Sequence, residues 1–570
     1  MTISRRHFLT GLGAALGMAL PVAAGARSFW LPRPGDIEPG PVFRHGVASG
    51  DPLADRVILW TRVAPNAGAR HVLVQWRVAR DPLFADVVRT GRALAGPDRD
   101  YTVKLDAVGL HPDTTYYYQF FAAGEQSPVG RTRTLPRGAV ENVRLAVASC
   151  ANLAFGFFNA YRLIAARPEL NAVVHLGDYL YEYGNGTFGD GAALGRIPEP
   201  DAEILTLDDY RTRHAQYRRD PDLQECHRQH PFICIWDDHE VANDAWRDGA
   251  ENHQPTTEGG WTERRRAALQ AWFEWLPVRD PGGLRERSGR IFREFRFGEL
   301  ASLTLLDTRL HGRDQQAPPI LDPVSGGLLV PPEALPQVLA QIEEPARQLL
   351  GEDQENWLYE RLEASMAQGV RWRLLGQQVM MGHLRQPIPE LGLAVPINTD
   401  QWDGYPAARA RLLSFVRDRV IDNVVVLTGD IHSSWAQDIP LDPFDGSYDA
   451  ATGRGSLAVE FVTPAVTSEG IPEAYAPQLE ALLRAAPSPL KYVDLSRRGY
   501  LVLDVTPGAV QADWFHLDDI LDPGAGETFA AAFWTRAGSA RVEAAPAPVL
   551  ARGAVADPAP AMRPAPRVIA

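Results

Sequence analysis

The chain has 570 residues, 45% of them hydrophobic and 22% charged, with a formal net charge of −14 at pH 7. That length exceeds what one hydrophobic core supports and predicts at least two domains, and the composition excludes a fibrous or wholly disordered protein. The acidic balance, with no Lys/Arg block, argues against a nucleic-acid-binding face, and three cysteines (Cys150, Cys226 and Cys234) are too few for a disulfide scaffold.

At the N-terminus, Ser4-Arg5-Arg6-His7-Phe8-Leu9 sets two arginines before a mildly apolar, Gly/Ala-rich stretch. It closes on Ala24-Gly25-Ala26, a small-residue cleavage pattern. Residues 1–26 read as a twin-arginine (Tat) signal peptide, which addresses a protein to the Tat export machinery and predicts a periplasmic or secreted location. The alternative is an uncleaved anchor helix, but the stretch falls short of the ~20 strongly apolar residues that a bilayer span needs. No other segment is long enough, so no integral membrane span is expected. Residues 27–41, rich in proline, read as a linker.

From 42 to 136, short alternating runs at 56–61, 72–78 and 116–121 are broken by Pro, Gly and Asp turns. Period-two alternation of β-branched and aromatic residues predicts a small immunoglobulin-like or fibronectin-like β-sandwich. The triplet Tyr116-Tyr117-Tyr118 belongs there as sandwich core and edge. Beyond it, in 143–545, the texture changes to continuous apolar strands at 145–148, 172–176, 232–235, 303–306, 372–375, 424–427 and 458–462. Helices are predicted between them, among others at 261–275 and 352–364. Solid apolar strands are buried on both faces, which predicts an α/β domain of sheets covered by helices. In such folds functional residues sit just past the carboxyl ends of strands. The closing stretch, 546–570, is Pro/Ala-rich and reads as a flexible tail. No internal repeats are evident.

Ligand-type residues cluster where four of those strands end. The clusters are Ser149-Cys150-Ala151-Asn152, Leu176-Gly177-Asp178-Tyr179-Leu180-Tyr181-Glu182, Trp236-Asp237-Asp238-His239-Glu240 with Asn243-Asp244, and Thr428-Gly429-Asp430-Ile431-His432-Ser433. One Gly-Asp or Asp-His pair is an ordinary turn or cap; four in series predict a common rim. Such a set suits phosphate-ester hydrolysis, in which two metal ions roughly 3.5–4 Å apart neutralise charge and generate a hydroxide nucleophile. Asp178 is the natural bridging carboxylate. Thiolate, phenolate and imidazole suit a transition metal, whereas carboxylate and amide oxygens suit a hard ion. Asp307-Thr308-Arg309 follows another strand, and Arg309 is either a phosphate contact or half of a structural ion pair. A disulfide between Cys226 and Cys234 is open, and His383 and the block 461–468 take no role.

These blocks, with Phe43-Arg44-His45-Gly46-Val47-Ala48-Ser49-Gly50-Asp51-Pro52, Leu59-Trp60-Thr61-Arg62 and Leu375-Gly376-Gln377-Gln378-Val379-Met380-Met381, resemble the alkaline phosphatase D family in the same order. The resemblance spans nearly everything from Val42 to the tail. It implies a β-sandwich followed by a helix-flanked double β-sheet domain, similar to the calcineurin-like and purple acid phosphatase group. It also implies an exported phosphoric ester hydrolase holding Fe3+ and one or two Ca2+. Carried over residue by residue, Cys150, Asp178, Tyr181 and His432 hold iron, with Asp178 shared. Asp238 and Asp430 hold calcium, with Asn243 and Gln377 as further oxygen donors. His239 donates to a transition-state oxygen or protonates the leaving group. The rivals are a phospholipase D or wall-polymer phosphodiesterase and, outside enzymes, a catalytically inactive surface binding protein, against which the intact residue set argues.

Overall fold

The computed structural model describes residues 42–64, 70–280, 290–321, 327–388, 393–484, 488–552 and 555–561. The expected signal peptide (1–26) and linker (27–41) lie outside the described residues, as do 562–570 of the expected tail.

Two large sheets carry the molecule. In the first, Val143–Ala148, Ala172–His175 and Pro231–Cys234 run parallel at the centre, flanked on one side by the antiparallel strands Gly499–Val505, Ala509–Leu517 and Glu527–Arg536. In the second, Ala301–Leu305, Trp372–Gly376, Val424–Thr428 and Ser456–Val462 form the parallel centre. The apolar runs read as strands because both their faces are covered. Leu374, Val425 and Leu427 face a core shared with Leu145, Val147 and Leu503 of the first sheet. Their neighbours Leu375 and Val426 point the other way, against Leu358, Leu362, Leu412 and Leu413 of the helices Glu352–Ala367 and Pro406–Asp418. Alternation at period two thus puts apolar side chains on two cores at once. On the first sheet, the helix Trp261–Trp275 sends Trp272 and Phe273 into the same core and ends before Pro277, as the sequence predicts. The helix expected at 352–364 runs on to Ala367.

The N-terminal segment is a sandwich whose core holds Val57, Leu59, Val74, Val78, Tyr116, Tyr118 and Phe120. One of its layers is not its own. Val47–Gly50 lies parallel to Pro231–Cys234, with Ser49 opposite Pro231, and Arg56–Arg62 and Thr102–Val108 continue the same sheet. The composition shift near 136–143 therefore marks a change of texture along one continuous sheet.

One expectation is corrected and one open point is answered. The described residues 547–552 and 555–560, part of the stretch read as a flexible tail, are held against the body. Arg144 and Gln511 donate to the carbonyls of Val549 (3.0 Å) and Ala547 (2.9 Å), and Tyr117 and Arg228 to those of Asp557 (2.6 Å) and Pro560 (2.8 Å). Proline-rich chain cannot make its own ladder, so its carbonyls stay available to donors on the body. Cys226 and Cys234 do not pair: both are buried free thiols.

Candidate metal centre

The parallel strands of both sheets end at one place. Cys150 follows Val143–Ala148, Asp178 follows Ala172–His175, Asp237 and Asp238 follow Pro231–Cys234, and Asp430 and His432 follow Val424–Thr428. At each exit but the third, a ligand-type residue bends the chain left-handed: φ is 61° at Cys150, 53° at Asp178, 64° at Asp430 and 54° at His432. Side chains with a Cβ resist that region, at about 1–3 kcal/mol each, and such strain collects at functional sites. The turns lock together through Cys150 N–H to Gly177 C=O (3.1 Å), Ala151 N–H to Asp178 C=O (2.9 Å) and a parallel bridge between Ser149 and Ala465. Gly177, at φ 107°, has to be glycine, because a Cβ there would lie 2.4 Å from the Asp237 nitrogen.

Three overlapping groups of buried donors result, each with its ligand atoms within 4.8 Å of one another: Cys150, Asp178 and His432; Asp178, Asp238 and His239; and Asp237, Asp238 and Asp430. Tyr181 joins the first, donating to Asp178 Oδ2 (3.0 Å) with its oxygen 3.2 Å from His432 Nε2. His432 Nδ1 lies 2.7 Å from the Glu469 carbonyl, so Nδ1 carries the proton and Nε2 turns its lone pair to the group. Burial, then the neighbouring Asp178 carboxylate, pushes the Cys150 thiol and the Tyr181 phenol well above their ordinary pKa values. Both would ionise only beside a cation, as metal ligands do. This sulfur, phenol, imidazole and carboxylate set fits a transition metal. The third group is all carboxylate, and Asp237 Oδ2 is buried without a hydrogen-bond partner, a fit for a hard cation. Asp178 and Asp238 each belong to two groups, which ties the three into one centre.

His239 stands at the middle group with Nδ1 2.7 Å from Glu182 Oε2. Burial alone would lower its pKa, but Glu182, Asp178 and Asp238 outweigh it and hold it up at about 10. Glu182 is itself fixed by the Asn243 N–H (2.8 Å) and the Asn252 amide (2.9 Å).

Three expectations meet a different geometry. Arg309 is fully buried and faces no open phosphate site. Its Nε donates to Asp237 Oδ1 (2.5 Å), Nη2 to Asp430 Oδ1 (2.6 Å) and Nη1 to both Asp400 oxygens (2.9 Å). The ion-pair alternative describes it. Gln377 is turned away from the donors, its Nε2 on Thr428 Oγ1 (2.6 Å) and its Oε1 accepting from the Trp402 indole (3.1 Å). The amide that reaches the cluster is Gln401, donating to Asp430 Oδ2 (2.8 Å). Asn243 borders the centre through its backbone, while its amide nitrogen donates to Glu251 (3.2 Å).

Sequence reasoning passed over Asp237, Glu182, Glu240 and Ser468. Glu240 accepts the N–H groups of Asp178 (3.0 Å), Tyr179 (2.8 Å) and Asp237 (2.8 Å), clamping two ligand turns together. Both glutamates lie inside the motif blocks, where a carboxylate among ligands was the available signal. Ser468 donates to Tyr181 Oη (2.7 Å) from the distant block 461–468, whose place after a strand was its signal and which was given no role.

Residues 145–514 match the family model described as PhoD-like phosphatase, and residues 33–136 match that of the PhoD-like phosphatase N-terminal domain. The chain is 37% identical over 547 residues to alkaline phosphatase D of Bacillus subtilis (strain 168), covering 93% of this chain and 87% of that protein. A solved structure titled "Structure of PhoD" is similar with a TM-score of 0.76 at 36% identity, covering 91% of this chain and 94% of that one.

Proposed function

The chain belongs to the PhoD-like phosphatase family and is a phosphoric ester hydrolase, and we propose that it works outside the cytoplasm as an alkaline phosphatase or phosphodiesterase dependent on iron and calcium. The observation that carries the metal reading is the meeting of four strand-end motifs in three overlapping buried donor groups. Cys150, Asp178, Tyr181 and His432 would hold Fe3+, and Asp238 and Asp430, with Asp237, would hold Ca2+. When bound, the ions would supply charge neutralisation at the phosphoryl oxygens and activation of the attacking water.

The chain's own contribution is position and protons. Glu240 holds the Asp178 and Asp237 turns at one separation. Glu182 fixes His239 by its Nδ1, which leaves Nε2 to hold a proton toward the donor groups. From there it donates to a phosphoryl oxygen or to the departing alkoxide. Export rests on the Arg5-Arg6 pattern; among the described residues no helix is long and apolar enough to cross a membrane.

The test is metal analysis joined to turnover. Exhaustive treatment with a calcium chelator abolishes hydrolysis of a generic phosphate ester and calcium restores it, while purified protein carries iron. Full activity in protein that elemental analysis finds free of both metals would overturn the proposal.

A further inference from the structure

The floor and the mouth of the centre differ in chemistry. Cys150, Asp178 and Asp238 are 0% exposed, whereas Tyr183, His432 and Phe188 reach 5%, 7% and 8%. The more exposed edge of the centre is thus the donor His432 together with two aromatic rings, Tyr183 and Phe188, that belong to no donor group. Phe188 lies over the site: its ring is parallel to His239 within 10° at 6.2 Å, and within 26° of His432 at 6.5 Å. Tyr183 stands edge-on to both Phe188 (5.7 Å) and His239 (5.6 Å), and the half-buried Phe155 backs Phe188 edge-on at 5.0 Å.

This wall is built in place. Asn152, two residues after Cys150, donates its amide to the Phe188 carbonyl (3.2 Å). The loop is closed by Asn185, which donates to Asp190 (2.8 Å) and accepts from the Gly191 N–H (2.8 Å). Phe188 is thus fixed relative to the first ligand turn.

We propose that Phe188, backed by Tyr183 and Phe155, forms a subsite for an aromatic leaving group on the ester. The inference rests on the hydrolytic reading of the centre, and the geometry that carries it is the Phe188 ring lying parallel to His239 and His432 beside the donor groups. Hydrolysis breaks the P–O bond to that group, the water oxygen forms the new P–O bond, and the group leaves as its alcohol or phenol with a proton from the same water. Offset or edge-on packing against the Phe188 ring, held in place by the other two, favours a planar aromatic group over a polyol of similar size.

The experiment uses the full chain and compares kcat/KM for phenyl phosphate and glycerol phosphate in wild type, Phe188→Ala and Phe188→Leu. Taking the phenyl-to-glycerol ratio within each protein cancels the intrinsic difference between the leaving groups. Phe188→Ala lowers that ratio about fivefold or more, and Phe188→Leu, which keeps apolar bulk without a planar face, lowers it partway. As a second readout, inhibition by phenylphosphonate relative to methylphosphonate weakens in the same order. A ratio unchanged in both variants, or an equal fall on both esters, makes the wall structural and overturns the subsite. Wild-type protein that turns over neither ester overturns the hydrolytic reading instead, so the two failures are distinguishable.

Discussion

Cys150 and Glu182 carry the sharpest consequences at the scale of single residues. The Cys150 thiol is buried, left-handed in its backbone and beside Asp178 and His432. Serine is nearly isosteric, but its un-ionised hydroxyl is a much poorer metal ligand than a thiolate. Cys150→Ser is expected to lose iron and to cut turnover at least a hundredfold, with the melting temperature measured alongside to show that the fold remains. Tyr181→Phe is expected to remove a phenolate charge-transfer band from the visible spectrum. Iron content and rate close to wild type in Cys150→Ser would return the thiol to a packing role. Glu182→Gln leaves the His239 imidazole in a buried place without its main charge partner. Breaking such a pair costs about 3–5 kcal/mol. Turnover is expected to fall by about a hundredfold or more, with KM little changed, because the proton donor loses its orientation. Equal effects from Glu182→Gln and from a distant surface substitution would remove Glu182 from the mechanism.

At the scale of elements, the centre depends on how closely the ends of adjacent strands approach. The turn after Ala172–His175 and the turn after Pro231–Cys234 touch at Gly177, where a Cβ would meet Asp237 backbone at 2.4 Å. Backbone cannot give way as a flexible side chain would. Gly177→Ala is expected to separate Asp178 from Asp237 and Asp238, lowering both metal content and turnover more than tenfold. Gly195→Ala is the control. It has φ 66° but open space around it, so it bears only the left-handed strain of about 1–2 kcal/mol and keeps its metals. Matching losses in the two variants would show that backbone strain, not the approach of the turns, governs the site. The strands themselves were legible because each is a short, solid apolar run. The sharing of a sheet between the sandwich and the catalytic region was not, because Val47–Gly50 pairs with Pro231–Cys234 across a long sequence gap. Local periodicity carries no information about such partners.

For the whole molecule, the C-terminal stretch acts as a strap. Its described residues bond Arg144 on a central strand and Gln511 on a flanking one, then Tyr117 of the sandwich and Arg228 of the neighbouring helix. Removing residues 546–570 is expected to lower the melting temperature by a few degrees and to leave kcat near wild type, because among the described residues no donor to the centre lies in that stretch. An unchanged melting temperature would show that the strap contributes nothing to stability. Export is tested at the other end: Arg5→Lys with Arg6→Lys is expected to leave the protein in the cytoplasm, since the proposed signal depends on the guanidinium pair. Undiminished export of that double variant would rule out the Tat route.

The sequence by itself determined the kinds of chemistry available and where along the chain they occur. Cys150, Asp178, Tyr181, Asp238, Asp430 and His432 each sit at or just past a strand end, and strand ends can be read from apolar runs. Tertiary structure decided which ligand-type residues are spent on one another. Arg309 looks like a phosphate contact in one dimension, yet four carboxylates from three separate segments enclose it. Gln377 and Gln401 are both glutamines near strand or loop ends, yet Thr428 and Trp402 hold the amide of the first while that of the second donates to Asp430. The reason is physical: a side chain's role is set by the neighbours that satisfy its polar atoms, and in a buried site those neighbours come from distant sequence.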